Sequence, residues 1–426
     1  MKVTGVIAEY NPFHNGHAYQ IQKAKELSQA DYIVAVMSGN YVQRGAPAML
    51  DKFSRAYTAL QNGVDFVFEI PSLQASASAE YFAAAGISLF HALGCVDTVS
   101  FGCESADFDL MRKTAQLLAE EPPEYSSLLS SFLKQGLPFP AARENAVISY
   151  FTEKKEHLSF PALSSLLHEP NNILALEYIK CLIQNNSPIT PLPILRQGSG
   201  YHDQNIGEHF CSATAIRTLC LDSREKESLW ESDKQINLKT ICSYVPKETA
   251  DLLFHPDTCF LTEKDFSQML YYKLLSERDS GFSEYADGSP ELSNRICRLL
   301  PEFKDYKSFC ELLKSREVTY TRISRLLLHI LLNHKQSDYD SLKKSRVSYL
   351  RLLGFRKDAS PLFTEIKKHA SLPLVIRAAG DSSLLDETAA ALFEQDVFAS
   401  DLYYGVLAQK SGIVQKNEYQ REVVVV

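Results

Sequence analysis

The sequence predicts an α/β protein in two parts: a five-stranded parallel sheet alternating with helices over residues 1–235, then a mainly α-helical region over residues 236–426. Three observations carry this reading. Short apolar, β-branched runs alternate with helical patterns as far as residue 195, which is what buried parallel strands and their crossovers require. The first run ends in a loop containing Asn, Pro, Gly and two His, and a helix follows at once, as in the first βα unit of a nucleotide-binding sheet. Beyond about residue 235 the alternation stops and longer helical patterns take over.

Composition bounds the function. With 426 residues, 45% of them apolar, the chain is long enough for roughly two to three domains with ordinary cores. Its longest apolar runs are too short to span a bilayer, and Met1-Lys2 leads straight into the first strand, so a cytoplasmic location is expected. Nine cysteines without a C-x-x-C pair predict reduced core thiols rather than a disulfide frame or a zinc ribbon. The net charge of −8 argues against a general nucleic-acid binder, although a global sum hides local patches.

Val3 to Ala8 is the first strand, and the apolar spacing of Ala18 to Leu27 is helical. Between them His14 and His17 stand three apart, about one turn at a helix start, and point the same way. The unpaired amides there favour anions and imidazole donors add to that field, while Gly16 lets a ligand approach the backbone. The alternative readings of the two histidines are a zinc pair or two chance loop histidines.

Tyr32 to Met37 is the second strand, and residues 38–45 form the loop at its ligand-facing end, a candidate for a second substrate. In the helix from Asp51 to Asn62, Lys52 and Arg55 share a face that is either solvated or a pair of phosphate donors. Val64 to Ile70 is the third strand, ended by Pro71. Ala75 to Leu93, small and apolar, reads as a helix packed closely on the sheet. Asp97 to Phe101 is the fourth strand; Gly102 just past it marks either a ligand approach or a tight turn. Residues 111–166 are helical in pattern, with breaks at Pro122-Pro123 and residues 136–140. Glu169-Pro170-Asn171-Asn172 opens another helix with an Asn as its expected N-cap. Pro191 to Leu195 is the fifth strand. Small hydroxyl residues Ser212 and Thr214 then start a helix carrying Arg217, a donor set suited to β/γ phosphates or else an ordinary cap with a surface Arg.

The H-x-G-H arrangement resembles the HIGH signature of the nucleotidyltransferase and class I synthetase superfamily, whose histidines hold the α/β phosphates; the fold it implies is Rossmann-like. Taken with SGNYVQRGAPA, DKFSRA, FGCES, EPNNILALEY, LRQGSGYHD and SATAIR, the segment EYNPFHNGH resembles the bacterial tRNA(Met) cytidine acetate ligase family over essentially the whole chain. The resemblance implies that acetate and ATP form acetyl-adenylate with Mg²⁺, and that the acetyl group passes to the exocyclic amine of the wobble cytidine of elongator tRNA(Met). It implies His14 and His17 as catalytic residues. It places ATP along Ile7, Ala8, Glu9, Tyr10, Asn11, Pro12, Phe13, His14, Asn15, Gly16, His17, Ala18, Tyr19 and Gln20, with further contacts at Gly102, Asn171 and Arg196. Ala213-Thr214-Ala215 departs from the superfamily's S-T-x-I-R form, which weakens the roles of Ser212 and Thr214 more than that of Arg217. No covalent protein intermediate is needed, so no nucleophile is assigned.

Long helical patterns follow at Asp265 to Glu277, Leu292 to Leu300, Tyr306 to Lys314, Tyr320 to Leu332 and Ser360 to Ala370. Residues 301–357 hold 13 Lys/Arg against 6 Asp/Glu, about +7 in a chain of −8. Arg322 and Arg325 lie one turn apart, Lys343 and Lys344 follow, and Tyr320 and Tyr349 are candidates to stack on unpaired bases, so this segment is the expected RNA surface. Residues 423–426 have no assigned role. No obligate protein partner is evident. The alternatives are a small-metabolite nucleotidyltransferase of the same fold and a non-catalytic RNA-binding protein.

Overall fold

The computed structural model describes residues 1–154, 160–196, 211–225, 239–342 and 347–426. Among the described residues ten strands are found: β1 (Val3–Ala8), β2 (Tyr32–Ser38), β3 (Tyr41–Val42), β4 (Ala46–Pro47), β5 (Phe66–Ile70), β6 (Thr98–Cys103), β7 (Thr190–Leu195), β8 (Leu350–Phe355), β9 (Leu374–Val375) and β10 (Val424–Val425). The main sheet runs β10-β8-β5-β2-β1-β6-β7, with β9 beside β8. Its five parallel strands are the five expected from sequence, each within two residues of the anticipated bounds. Strand order reverses at β1, whose neighbours are β2 on one side and β6 on the other. In an open parallel sheet that reversal opens a crevice beyond the strands' carboxyl ends.

Alternation along β2 builds the two layers. Ile33, Ala35 and Met37 enter one core with Phe53 and Leu60, while Val34 and Val36 enter the other with Phe90 and Ile87. The helix Ala79–Leu93 lies very close to the sheet: a Cβ on Gly86 would stand 2.5 Å from the Ile7 side chain. Small residues make that approach possible, as the composition of the helix predicts.

The sheet departs from expectation at its other edge. β8 joins β5 antiparallel, and β9 and β10 flank β8 in parallel. These strands lie beyond residue 235, where the sequence shows no strand alternation, and the unexplained Val tail is an edge strand. The helical patterns hold well: Tyr320–Leu332 is found as expected, and Pro290–Leu299, Tyr306–Leu313 and Ser360–His369 within two residues. Pro123 and Pro170 occupy the first turns of helices, where a missing N–H costs nothing. Among the described residues no helix is long and apolar enough to cross a membrane.

Lys52 and Arg55 are neither solvated nor phosphate donors, because both are fully buried. The Lys52 ammonium donates to Glu69 at 2.7 and 2.9 Å and to Ser400 at 3.2 Å, and pairs with Glu418 at 3.0 Å. Arg351 on β8 completes the group, reaching Glu418 at 2.9 Å. Four charges from four distant segments therefore compensate one another inside the protein. Burial alone would raise the Glu418 carboxyl, but Lys52 and Arg351 outweigh it and pull the group down to about 2.

Removing Glu418 leaves two buried cations short of an anion. Glu418→Ala should cost about 3–5 kcal/mol in urea unfolding, the usual penalty for breaking a buried pair. Because the folded carboxyl sits below its unfolded value, its contribution is fully present above about pH 5 and fades as pH falls toward 2. A Glu418→Gln protein whose acid-unfolding curve superimposes on that of the wild type contradicts this account.

Candidate active site

The loop after β1 becomes a helix at Asn15–Ser28, and the two histidines form its cap. His14 is the N-cap; its Nδ1 accepts from the Gly16 N–H at 3.1 Å, and the His17 Nδ1 accepts from the His14 N–H at 3.2 Å. This is a capping box in which two imidazoles replace the usual Ser and Glu. The rings stack with centroids 3.7 Å apart, and Tyr10 and Phe13 wedge against His17 at 4.9 and 5.5 Å.

Burial, and then the positive fields of Arg196 and Arg217, push the His14 imidazole down to about 3. Burial, His14 and Arg196 hold His17 well below the ordinary imidazole value. Both rings are therefore neutral at pH 7. A neutral imidazole carries one N–H, and with each Nδ1 accepting from backbone that proton sits on Nε2. The cap thus offers two fixed Nε2–H donors.

These donors open on a cleft walled by His14, Gly16, His17, Tyr19, Gln20, Gly102, Ile194, Leu195, Arg196, Cys211 and Ser212. Residues from the loop after β1, Gly102 inside the end of β6 rather than just past it, and the end of β7 with Arg196 thus meet at the strand-order reversal. Gly102 leaves room for Arg196, whose Cγ would lie 3.3 Å from a Cβ there. Ile7 and Ala8 belong to the two cores, as do the buried Tyr10 and Phe13, and Ala18 packs on the core beside the first helix. Asn15 donates to Ser243 O at 2.9 Å. Glu9 and Asn11, flanking Tyr10 and the cis Asn11–Pro12 peptide, serve the neighbouring loops: the Glu9 carboxylate accepts from Gln43 N at 2.8 Å and Asn11 Oδ1 from Met49 N at 2.9 Å.

Other expected donors sit at the rim with structural partners. Ser212 caps its helix, accepting from Ala215 N at 3.2 Å. Arg217 donates to Asn11 O at 2.7 Å and to the Thr214 hydroxyl at 3.0 Å, bracing the first loop. The Asn N-cap is not found: Glu169 holds that position without a side-chain bond. Instead Asn172 is fully buried and its Oδ1 accepts from Glu104 N and Ser105 N at 2.9 and 3.1 Å. Glu104 in return accepts from Asn172 N at 3.0 Å and from the Asn171 side chain. A carboxylate from another loop thus supplies the cap, which is why helix-start rules based on neighbouring residues misplace it. Glu104 and Asn172 were within reach of sequence reasoning only as parts of FGCES and EPNN, because their pairing spans 68 positions. Residues 197–203 of the LRQGSGYHD segment lie outside the described residues.

Three residues of the expected RNA surface have partners within the protein. Arg325 forks onto Asp287 with both bonds at 2.8 Å and is little exposed, so its guanidinium is already neutralised. Tyr349 is fully buried with its hydroxyl on Asp396, which removes it as a stacking platform. Arg322 reaches Asp287 O at 3.4 Å. Lys343 and Lys344 lie outside the described residues.

The neutral cap has a kinetic signature. If the cleft carries the adenylation that the sequence resemblance implies, a pH profile of pyrophosphate formation from ATP should show no histidine limb between pH 5.5 and 8, since burial and the nearby arginines push His14 down to about 3. His14→Ala or His17→Ala should slow it by at least about 100-fold, equivalent to losing a preorganised donor of roughly 3 kcal/mol. A limb near pH 6.5 that disappears in His14→Asn contradicts the assignment.

Known proteins resemble this chain over almost its whole length. The sequence model of the HIGH nucleotidyl transferase family matches residues 1–420. The tRNA(Met) cytidine acetate ligase of Clostridium perfringens is 35% identical over 404 residues, 95% of each chain, and that of Clostridium tetani is 38% identical over 378 residues, 88% of this chain and 90% of its own. The crystal structure of Thermotoga maritima TmcAL bound with alpha-thio ATP superimposes with a TM-score of 0.88 at 29% identity, and the apo form with 0.90 at 30%, each over the full length of both chains. The chain belongs to the HIGH nucleotidyl transferase family, within the group of tRNA(Met) cytidine acetate ligases.

Proposed function

We propose that this protein activates acetate with ATP and acetylates the exocyclic amine of the wobble cytidine of elongator tRNA(Met). The observation that carries the reading is the pair of Nε2–H donors of His14 and His17, facing a cleft shared with Gly102 and Arg196 in a chain similar end to end to ligases of that name. An acetate oxygen attacks the α-phosphorus, the Pα–O–Pβ bond breaks, and pyrophosphate leaves. The amine then attacks the acetyl carbon, the C–O bond to AMP breaks, and one proton is lost from nitrogen.

Charge builds on phosphate oxygens in the first step, and fixed donors in a partly dry site stabilise it without rearranging. His14, His17 and Arg196 supply such donors, and Gly16 and Gly102 keep the wall low enough for the phosphates to reach them. These residues donate rather than ligate, so they suit a nucleotide whose own oxygens carry Mg²⁺; the ion would add positive charge at the phosphates. In the proposed division of labour residues 1–235 handle ATP and acetate, and helices within residues 236–426 hold the tRNA. Action on tRNA would place the enzyme in the cytoplasm.

The test is pyrophosphate release from ATP with a panel of short carboxylates, with and without tRNA, followed by mass spectrometry of the tRNA nucleosides. Acetate should drive release without tRNA, and N4-acetylcytidine should form only when elongator tRNA(Met) is added. Release driven by a phosphorylated metabolite and not by acetate would favour the small-metabolite alternative. In the same assay Arg196→Ala should raise the KM for ATP by about 10-fold or more, as loss of a charge-assisted bond does. Asn171→Ala should act more weakly, through the Glu104 loop. Unchanged ATP dependence in both variants would remove them from the site.

A further inference from the structure

We infer that the outer face of the helix Ser267–Ser276 is a stacking platform for unpaired RNA bases, with Tyr272 as its anchor; the inference rests on the proposed action on tRNA. Leu270 and Leu274 of this helix are fully buried, yet Tyr271, Tyr272 and Leu275 on the other side are 41, 73 and 51% exposed. An exposed apolar cluster on one helix face marks an interaction surface. Tyr271 is braced from below by Phe303, with ring centroids 5.3 Å apart, which stiffens this face of the helix beside Tyr272.

Charge selects the partner. Lys304 follows Phe303 directly, and Lys307 follows Tyr306, whose N–H donates to Ser267 at the start of the same helix. Lys304, Lys307 and Lys264 are exposed, and none has an ion pair among the described residues. Of the neighbouring acids, Asp305 is engaged as a helix cap, accepting from Ser308 N at 2.8 Å, and Glu302 is exposed. Aromatic faces set among ammonium groups fit a polyanion with bare bases: stacking is tolerant of base identity and the lysines follow the phosphates.

Position favours the segment next to the reacting cytidine. Glu263, just before this helix, lies close enough to Arg217 at the cleft rim to stabilise its charge, and Phe266 packs on Tyr41 at 6.0 Å. Tyr272 stands roughly 15 Å further along the axis. A cytidine reaching the cleft therefore brings its unpaired neighbours past this face.

Binding of an unmodified elongator tRNA(Met) transcript and of a blunt RNA duplex should be measured by fluorescence anisotropy at two salt concentrations, beside ATP- and acetate-dependent pyrophosphate release. Tyr272→Ala should weaken tRNA binding by about 10-fold or more, leave duplex binding and pyrophosphate release unchanged, and be rescued by Tyr272→Trp. Lys304→Glu with Lys307→Glu should weaken binding and flatten its salt dependence. Tyr272→Ala with wild-type affinity for a tRNA that the wild type binds overturns the platform and leaves the proposed function standing. A wild type that binds no tRNA overturns both. A wild-type dimer that Tyr272→Ala converts to monomer in light scattering makes the face a self-association surface and also overturns the platform.

Discussion

One buried ammonium group constrains both the fold and the site. Lys52 begins the helix Lys52–Gln61, and its Nζ is held by Glu69 on β5, Ser400 on the helix Glu387–Ser411, and Glu418 near β10. Those segments lie far apart in the chain. With the helix thus fixed, Arg55 one turn later is fixed too. Its guanidinium donates to Leu50 O at 3.0 Å, to Glu9 O at 2.5 Å and to Gly39 O, joining the loops that follow β1 and β2. The charges buried for stability also set the spacing of the loops that carry the chemistry.

His14 and His17 show why a capping pair and a donor pair can be the same residues. A Ser or Asp cap uses its oxygen on the helix amides and has little left to present. Imidazole has a second nitrogen on the opposite edge, so Nδ1 serves the backbone while Nε2 faces the cleft. The cap fixes the tautomer, burial and the nearby arginines keep the rings neutral, and the donor direction is set before any ligand arrives. Such preorganisation is what stabilises developing charge without a reorganisation cost.

The basic segment behaves differently from its sequence count. Arg325, Arg351 and Arg356 are each paired with a carboxylate, so much of the local excess is consumed inside the molecule. Arg325 also shares in a contact that joins the two regions: Gly45, in the left-handed region at φ +77, lies so close to the Arg325 backbone that a Cβ would stand 2.4 Å from its nitrogen, and Ser324 donates to Gly45 O at 2.8 Å. Among the described residues, Lys304, Lys307 and Arg316 of this segment are exposed, and an aromatic face lies beside the first two.

By itself the sequence determined what is local. Strand and helix positions through residue 195, the close-packed helix Ala79–Leu93, the strand-loop-helix setting of His14 and His17, and the glycines at 16 and 102 follow from periodicity and backbone freedom, which neighbouring residues dictate. Tertiary structure decided whatever depended on a distant partner. Lys52 and Arg55 look like surface cations until Glu69, Glu418 and Glu9 O are brought to them; Asn172 looks like a cap until Glu104 arrives to cap its helix. The same holds for Arg325 with Asp287, and for β8 and β10, short strands with meaning only at the edge of β5. A charge or an edge strand is defined by what it pairs with, and pairing across hundreds of residues leaves no period in the chain.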